Sequence, residues 1–88
     1  MRAAVEISMY PLAGDYIERI LGFIERLNSR GEFVVVTNDL STQIWGELDR
    51  IMSALAEEMA RSSLDSPQIV YVMKVLPGLS APAGAAAT

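Results

Sequence analysis

Two stretches of this chain place apolar residues at helical spacing, and each is bracketed by short runs that alternate or are β-branched. That order restricts the fold more than any single motif. In residues 3 to 10, AAVEISMY, Val5, Ile7 and Met9 point one way and Glu6, Ser8 and Tyr10 the other, as in a half-buried strand. Pro11 has no amide hydrogen and steers Tyr10 away from helical geometry, so the strand closes there. Gly14-Asp15 opens a helix, with Asp15 expected to cap the free amides and Glu18 in the capping-box position. Ile17, Ile20, Leu21, Ile24 and Leu27 fall on one helical face, flanked by Phe23, and Gly31 suits the left-handed position after it.

FVVVT at 33–37 is β-branched, too short for a helix, and reads as a second strand. Asn38-Asp39 is a turn signal that pairs it with a third strand, Leu40 to Gly46, which Gly46 breaks. A second helix is expected over 47–63, with Leu48, Ile51, Met52, Leu55 and Met59 buried and Glu47 and Asp49 near its positive end. Asp65-Ser66-Pro67 interrupts the chain, QIVYVMKVL at 68–76 is the fourth strand, and Pro77-Gly78 stops it. The remaining LSAPAGAAAT has no periodicity and too little apolar area to offset its ordering entropy. One folded unit over 1–78 and a disordered Ala/Pro-rich tail over 79–88 are therefore expected.

The order βαββαβ predicts an α+β, ferredoxin-like fold. Both amphipathic helices need an apolar surface, and right-handed crossovers put them on one face of a four-stranded antiparallel sheet with strand order 4-1-3-2. The other face stays open and carries Glu6, Ser8, Gln43, Trp45, Val70, Val72 and Lys74, with Glu6 and Lys74 placed to pair. So much apolar surface on an open face points to cover by another subunit or a ligand.

Composition narrows the chemistry. Eighty-eight residues make one compact domain. There is no cysteine and no histidine, which removes the thiolate nucleophile, the disulfide framework and the commonest base and metal ligand. The net charge is −4 and the seven bases are scattered, against the clustered cations that bind nucleic acid. No apolar run approaches the roughly 20 residues of a membrane span, and MRAAVEISMY lacks a signal-peptide pattern, so a soluble cytoplasmic domain is expected. No base is placed to activate Ser41. Asp39 and Glu47 could do acid–base work, yet a turn residue and a helix-start charge explain them more simply. The acids show no calcium-loop spacing and the glycines no phosphate-cradling loop. The expectation is a protein that is not an enzyme, with no metal and no cofactor.

The region around the third strand retains chemical interest. Ser41 and Thr42 supply hydroxyls, Asn38 an amide, Asp39 an anion, and Trp45 and Tyr10 π faces. A small heteroaromatic cation would suit that set. Each residue also has an ordinary explanation, since Ser41 and Thr42 belong in a strand after a turn and Trp45 could anchor a subunit contact. On these grounds ligand binding and pure oligomer contact stand level.

The stretches VEISMYPL, TNDLSTQIWGELDRIMSAL and IVYVMKVLPG, in this order over about residues 4 to 78, resemble the YkoF-like family of thiamine-binding proteins. The most specific parts are Ser8-Met9-Tyr10-Pro11 and the Ser41-Thr42 strand that runs to Gly46-Glu47 and a helix. The resemblance implies a ferredoxin-like domain that binds thiamine or its hydroxymethylpyrimidine portion without catalysis, serving sequestration, delivery or sensing. It implies homo-oligomers, dimers or dimers of dimers. By position it puts ligand contacts at Met9, through backbone or apolar contact, and at Ser41; Thr42, Asn38 and Tyr10 join them by proximity. Trp45 departs from the family, where that position is often polar. The alternative is a structural or regulatory oligomer that has no small-molecule ligand and assembles through the open sheet face.

Overall fold

The structure, a computed structural model, describes residues 1–12, 14–64 and 68–81. Its elements are β1 (Arg2–Pro11), α1 (Tyr16–Ser29), β2 (Val34–Thr37), β3 (Thr42–Glu47), α2 (Leu48–Ser62) and β4 (Ile69–Pro77). The four strands form one antiparallel sheet in the order β2-β3-β1-β4, the expected 4-1-3-2 arrangement read from its other edge. The expected break at 65–67 and most of the expected tail, 82–88, lie outside the described residues.

Register fixes which side of the sheet is covered. Val5 stands opposite Ile44 and Ile7 opposite Thr42, all four buried beneath the helices, while Glu6 stands between Gln43 and Lys74 on the open side. The core joins Val5, Ile7, Val35 and Ile44 of the sheet to Phe23 and Leu27 of α1 and Ile51 and Leu55 of α2. Complete burial of each such side chain contributes about 1.5–3 kcal/mol. The ring of Phe23 lies against Tyr71 of β4, centroids 5.7 Å apart and planes tilted by 41°. On the open side the Lys74 ammonium lies 3.7 Å from the Glu6 carboxylate, the expected pair.

Each helix buries part of the face the sequence suggested, Ile24 and Leu27 in α1 and Ile51, Leu55 and Met59 in α2, but not all of it. In α1 the covered stripe is Phe23 and Leu27 with Ile24 beside them, whereas Ile17 and Leu21 are 57% and 60% exposed. Helical spacing alone admits both stripes; the one that packs on Val5, Ile7, Val35 and Ile44 of the sheet carries Phe23 and Leu27. In α2 the buried residues are Ile51, Ala54, Leu55, Glu58 and Ser62, while Met52 is exposed. The first helix also starts differently. Asp15 makes no side-chain cap; its carboxylate instead accepts from Arg19 Nε at 2.9 Å, and that hydrogen bond holds its pKa below the ordinary value. Gly31, at φ +69°, takes the left-handed position expected after α1.

Two features inside the fold escaped the pattern of the sequence. Gly46 does not end β3, which continues through Glu47. Its missing side chain is what Phe33 needs, because a Cβ at Gly46 would stand 2.9 Å from Phe33 Cδ1. The helix pair is also stitched by a buried carboxylate. Glu58, only 4% exposed, accepts from Arg26 Nε at 2.7 Å and from Arg30 Nη2 at 2.8 Å, and Arg26 Nη2 donates to Ser62 Oγ at 2.8 Å. Burial by itself would raise the Glu58 pKa, but hydrogen bonds from Arg30 and Arg26 outweigh it and hold the pKa below the ordinary value.

A carboxyl with a depressed folded pKa adds stability that is present above its unfolded value and disappears as pH falls through the folded one. Urea midpoints between pH 7 and pH 3 should therefore show an acid limb that Glu58→Ala flattens, and at pH 7 the same variant should lose about 3 kcal/mol by stranding the two guanidiniums. Gly46→Ala should lower stability by about 1–3 kcal/mol in denaturant unfolding, because Phe33 must leave its place.

Candidate functional site at the end of the central ladder

The ladder between β1 and β3 stops at Ile7↔Thr42, but β1 continues to Pro11 paired with β4 alone. Residues 38–41, which would have prolonged β3, turn away instead. Asn38 Oδ1 accepts the Leu40 N–H at 2.8 Å and the Ser41 N–H at 3.1 Å, and the Asn38 N–H donates to the Ser41 carbonyl at 3.1 Å. This is the local turn that an Asx side chain favours over a ladder. β3 accordingly begins at Thr42 rather than Leu40, and Ser41 sits in the turn rather than in the strand.

A cavity of about 450 Å³ opens where the sheet has lost its partner strand. Met9, Tyr10, Asn38, Ser41 and Thr42, the five residues singled out from the sequence, all line it. Its inner wall is apolar and comes from Tyr16, Ile20, Phe23 and Ile24 of α1, with Ile7 below. Polar groups gather on the opposite side, at Ser8, Thr37, Asn38, Asp39, Ser41 and Thr42. The sequence supplied no reason to add the α1 residues, because the crossover that brings that helix over the end of β1 is a tertiary event.

The five residues are not equivalent donors and acceptors. The Ser41 hydroxyl makes no hydrogen bond among the described residues, so its donor and both lone pairs are available. Asn38 has spent its side-chain oxygen on the turn, leaving its NH₂ group as the part that can meet a ligand. Thr42 is buried, with its hydroxyl 3.3 Å from that of Thr37, its ladder partner. Tyr10 is exposed and, by the alternation of β1, belongs to the face shared with Ser8, so it contributes the rim. Met9 sends its side chain toward the core cluster. Asp39 is exposed and is the one ionised side chain in the lining, which makes the hollow mildly attractive to a cation.

Two residues considered from the sequence lie elsewhere. Glu47, at the far end of β3 from Asp39, accepts from the Met1 amine at 2.9 Å, which holds its pKa below the ordinary value, and sits 3.5 Å from Arg2. The two carboxylates therefore form no acid–base pair. Trp45 is opposite Ala4 and Val34 on the open face, where it borders another hollow with Gln43, Lys74 and Leu76. Among the described residues no group of three or more acids could hold a metal ion, and no helix is long and apolar enough to cross a membrane.

The model of the YKOF-related family matches residues 2–76. The chain belongs to the YKOF-related family. The family match spans β1 to β3, both helices and all of β4 but its last residue, and thus the whole cavity lining. Solved structures share the fold. A protein from Streptococcus pneumoniae superposes with a TM-score of 0.81 at 25% identity, covering 90% of this chain and 89% of its own. A proposed thiamine biosynthesis/salvage protein from Thermotoga maritima gives 0.78 at 22% identity, covering 86% and 83%. A hypothetical protein from Methanocaldococcus jannascii gives 0.74 at 25% identity, covering 84% and 77%. No curated protein sequence matches the chain.

Asn38→Ala removes the acceptor of both turn amides. It should cost about 1 kcal/mol, seen as a melting temperature lower by about 4–8 °C in a domain of this size.

Proposed function

We propose that this protein binds thiamine or its hydroxymethylpyrimidine moiety, without catalysis, in the cavity at the end of the β1–β3 ladder. The observation that carries the reading is the two-sided lining of that cavity: an apolar wall from α1 facing a polar turn with an unspent Ser41 hydroxyl. A flat heterocycle would lie against Phe23 and Ile24, and its ring nitrogens would meet Ser41 and the Asn38 NH₂ group. Asp39 would face the permanent positive charge of a thiazolium. A volume of about 450 Å³ falls within the size of ordinary small-molecule sites, which run from roughly 300 to 1,000 Å³. Membership of the YKOF-related family and the likeness to the Thermotoga maritima protein support the same reading. With no metal or cofactor of its own, such a protein would serve sequestration, delivery or sensing in the cytoplasm.

A second surface supports self-association. Val70, Val72 and Leu76 are exposed along β4 on the open sheet face, and Leu76 lies level with the half-buried Trp45 across Ala4, an apolar strip that a dimer or dimer of dimers would cover. Were assembly the protein's only role, small molecules would leave it unaffected, and titration decides that point.

Isothermal titration with thiamine and with hydroxymethylpyrimidine should give saturable heat, and ligand at 100 times its dissociation constant should stabilise the fold by about 2.7 kcal/mol. Ser41→Ala should weaken binding by roughly 2- to 12-fold, the worth of one neutral hydrogen bond, while leaving the urea midpoint in place. No heat and no thermal shift at millimolar concentrations of either compound would remove the proposal.

A further inference from the structure

The hollow beside Trp45 on the open sheet face has the parts of a binding slot of its own. Its floor is Ala4, which stands between Trp45 of β3 and Leu76 of β4. A methyl group between two large side chains leaves a gap, and the backbones that carry those walls lie two strand spacings apart, about 10 Å. One end of the gap is closed by Leu79. Gly78, at φ +84°, turns the chain back after β4, its N–H donating to the Arg2 carbonyl at 2.7 Å. The other end is the next row across the same face, Gln43, Glu6 and Lys74. The volume is about 370 Å³, which suits one small molecule at the lower end of the roughly 300–1,000 Å³ of such sites.

The polar row has its hydrogen bonds still to make. The Lys74 ammonium and the Glu6 carboxylate lie 3.7 Å apart, beyond hydrogen-bonding distance. Neither they nor the Gln43 amide makes a side-chain hydrogen bond among the described residues. An exposed ion pair of this kind contributes little, so a ligand that brings charges of both signs can part it at small cost. A ligand with one charge is drawn to one member of the pair and repelled by the other, and an uncharged apolar one leaves the row unused. Val70 and Val72, apolar residues of β4 that a partner copy would cover, lie beyond this row toward the opposite end of the strand.

We propose that this slot binds an α-amino acid with an apolar or aromatic side chain, a zwitterion whose ammonium group donates to Glu6 and whose carboxylate accepts from Lys74 and the Gln43 amide. The ligand's side chain lies over Ala4 between Trp45 and Leu76, where an aromatic ring packs against the indole. Leu79 covers its far end. No lining residue is shared with the cavity at the end of the β1–β3 ladder, so the site stands apart from whatever that cavity binds.

Trp45 is the only tryptophan of the chain, so its fluorescence reports on this slot. Titration with L-phenylalanine should shift the emission saturably. Phenylethylamine, which lacks the carboxylate, and phenylpropionate, which lacks the ammonium group, should each bind at least tenfold more weakly, because a charge-assisted hydrogen bond is lost in either case. Lys74→Met and Glu6→Gln should each weaken phenylalanine binding by tenfold or more and leave the urea midpoint in place, since the pair they break is exposed. Equal affinity for the three compounds would overturn the proposal, and so would variants that bind phenylalanine as the parent protein does. An emission that follows protein concentration and ignores all three compounds would show a second copy seated on this face and overturn it as well. No response to phenylalanine or leucine at millimolar concentration would have the same consequence.

Discussion

Val5 opposite Ile44 beneath the helices, with Glu6 opposite Gln43 on the far side, is the pairing on which the rest of the structure depends. A slip of one residue would turn every apolar side chain of β1 to the open face and strand the helices without a floor. Because the register is held by burial, the position at which it ends is held too. Ile7↔Thr42 is the last rung, and the hollow at residues 8–11 follows from that ending rather than from a dedicated pocket element. Core and cavity are therefore consequences of one alignment.

The division of labour around that ending is economical. Asn38 spends its side-chain oxygen to fold the turn, and the Ser41 hydroxyl beside it keeps no hydrogen bond among the described residues. Apolar residues of α1 close the inner side, and they belong to the same helical stretch that builds the core. The ion-paired Glu58 keeps α1 and α2 in fixed relation at the other end of the helix pair, and α1 in turn fixes the cavity wall.

Much of this was legible in the chain. Strand and helix order, the single-sheet topology, the Glu6–Lys74 pair and the composition of the open face follow from alternation, helical spacing and turn residues, all local signals of fixed period. The five residues picked around Met9 and Ser41 do line one cavity. Other features resisted reading for stated causes. Spacing permits two stripes on α1, and only packing against the sheet distinguishes Phe23, which is buried, from Ile17 and Leu21, which are exposed. A glutamate at position 58 looks solvated until two arginines from another helix arrive. Gly46 looks like a strand breaker until Phe33 lies across it.

The sequence by itself determined the number, kind and order of elements, the face each strand turns to the core, and the absence of histidine and cysteine chemistry, because each is written in neighbouring residues. Only the tertiary structure decided that β3 would stop two residues short of its pattern, since the competition between an Asn38 side chain and a strand carbonyl for one amide is settled when both are within reach. From that competition comes the cavity, which opens only where a partner strand fails to arrive.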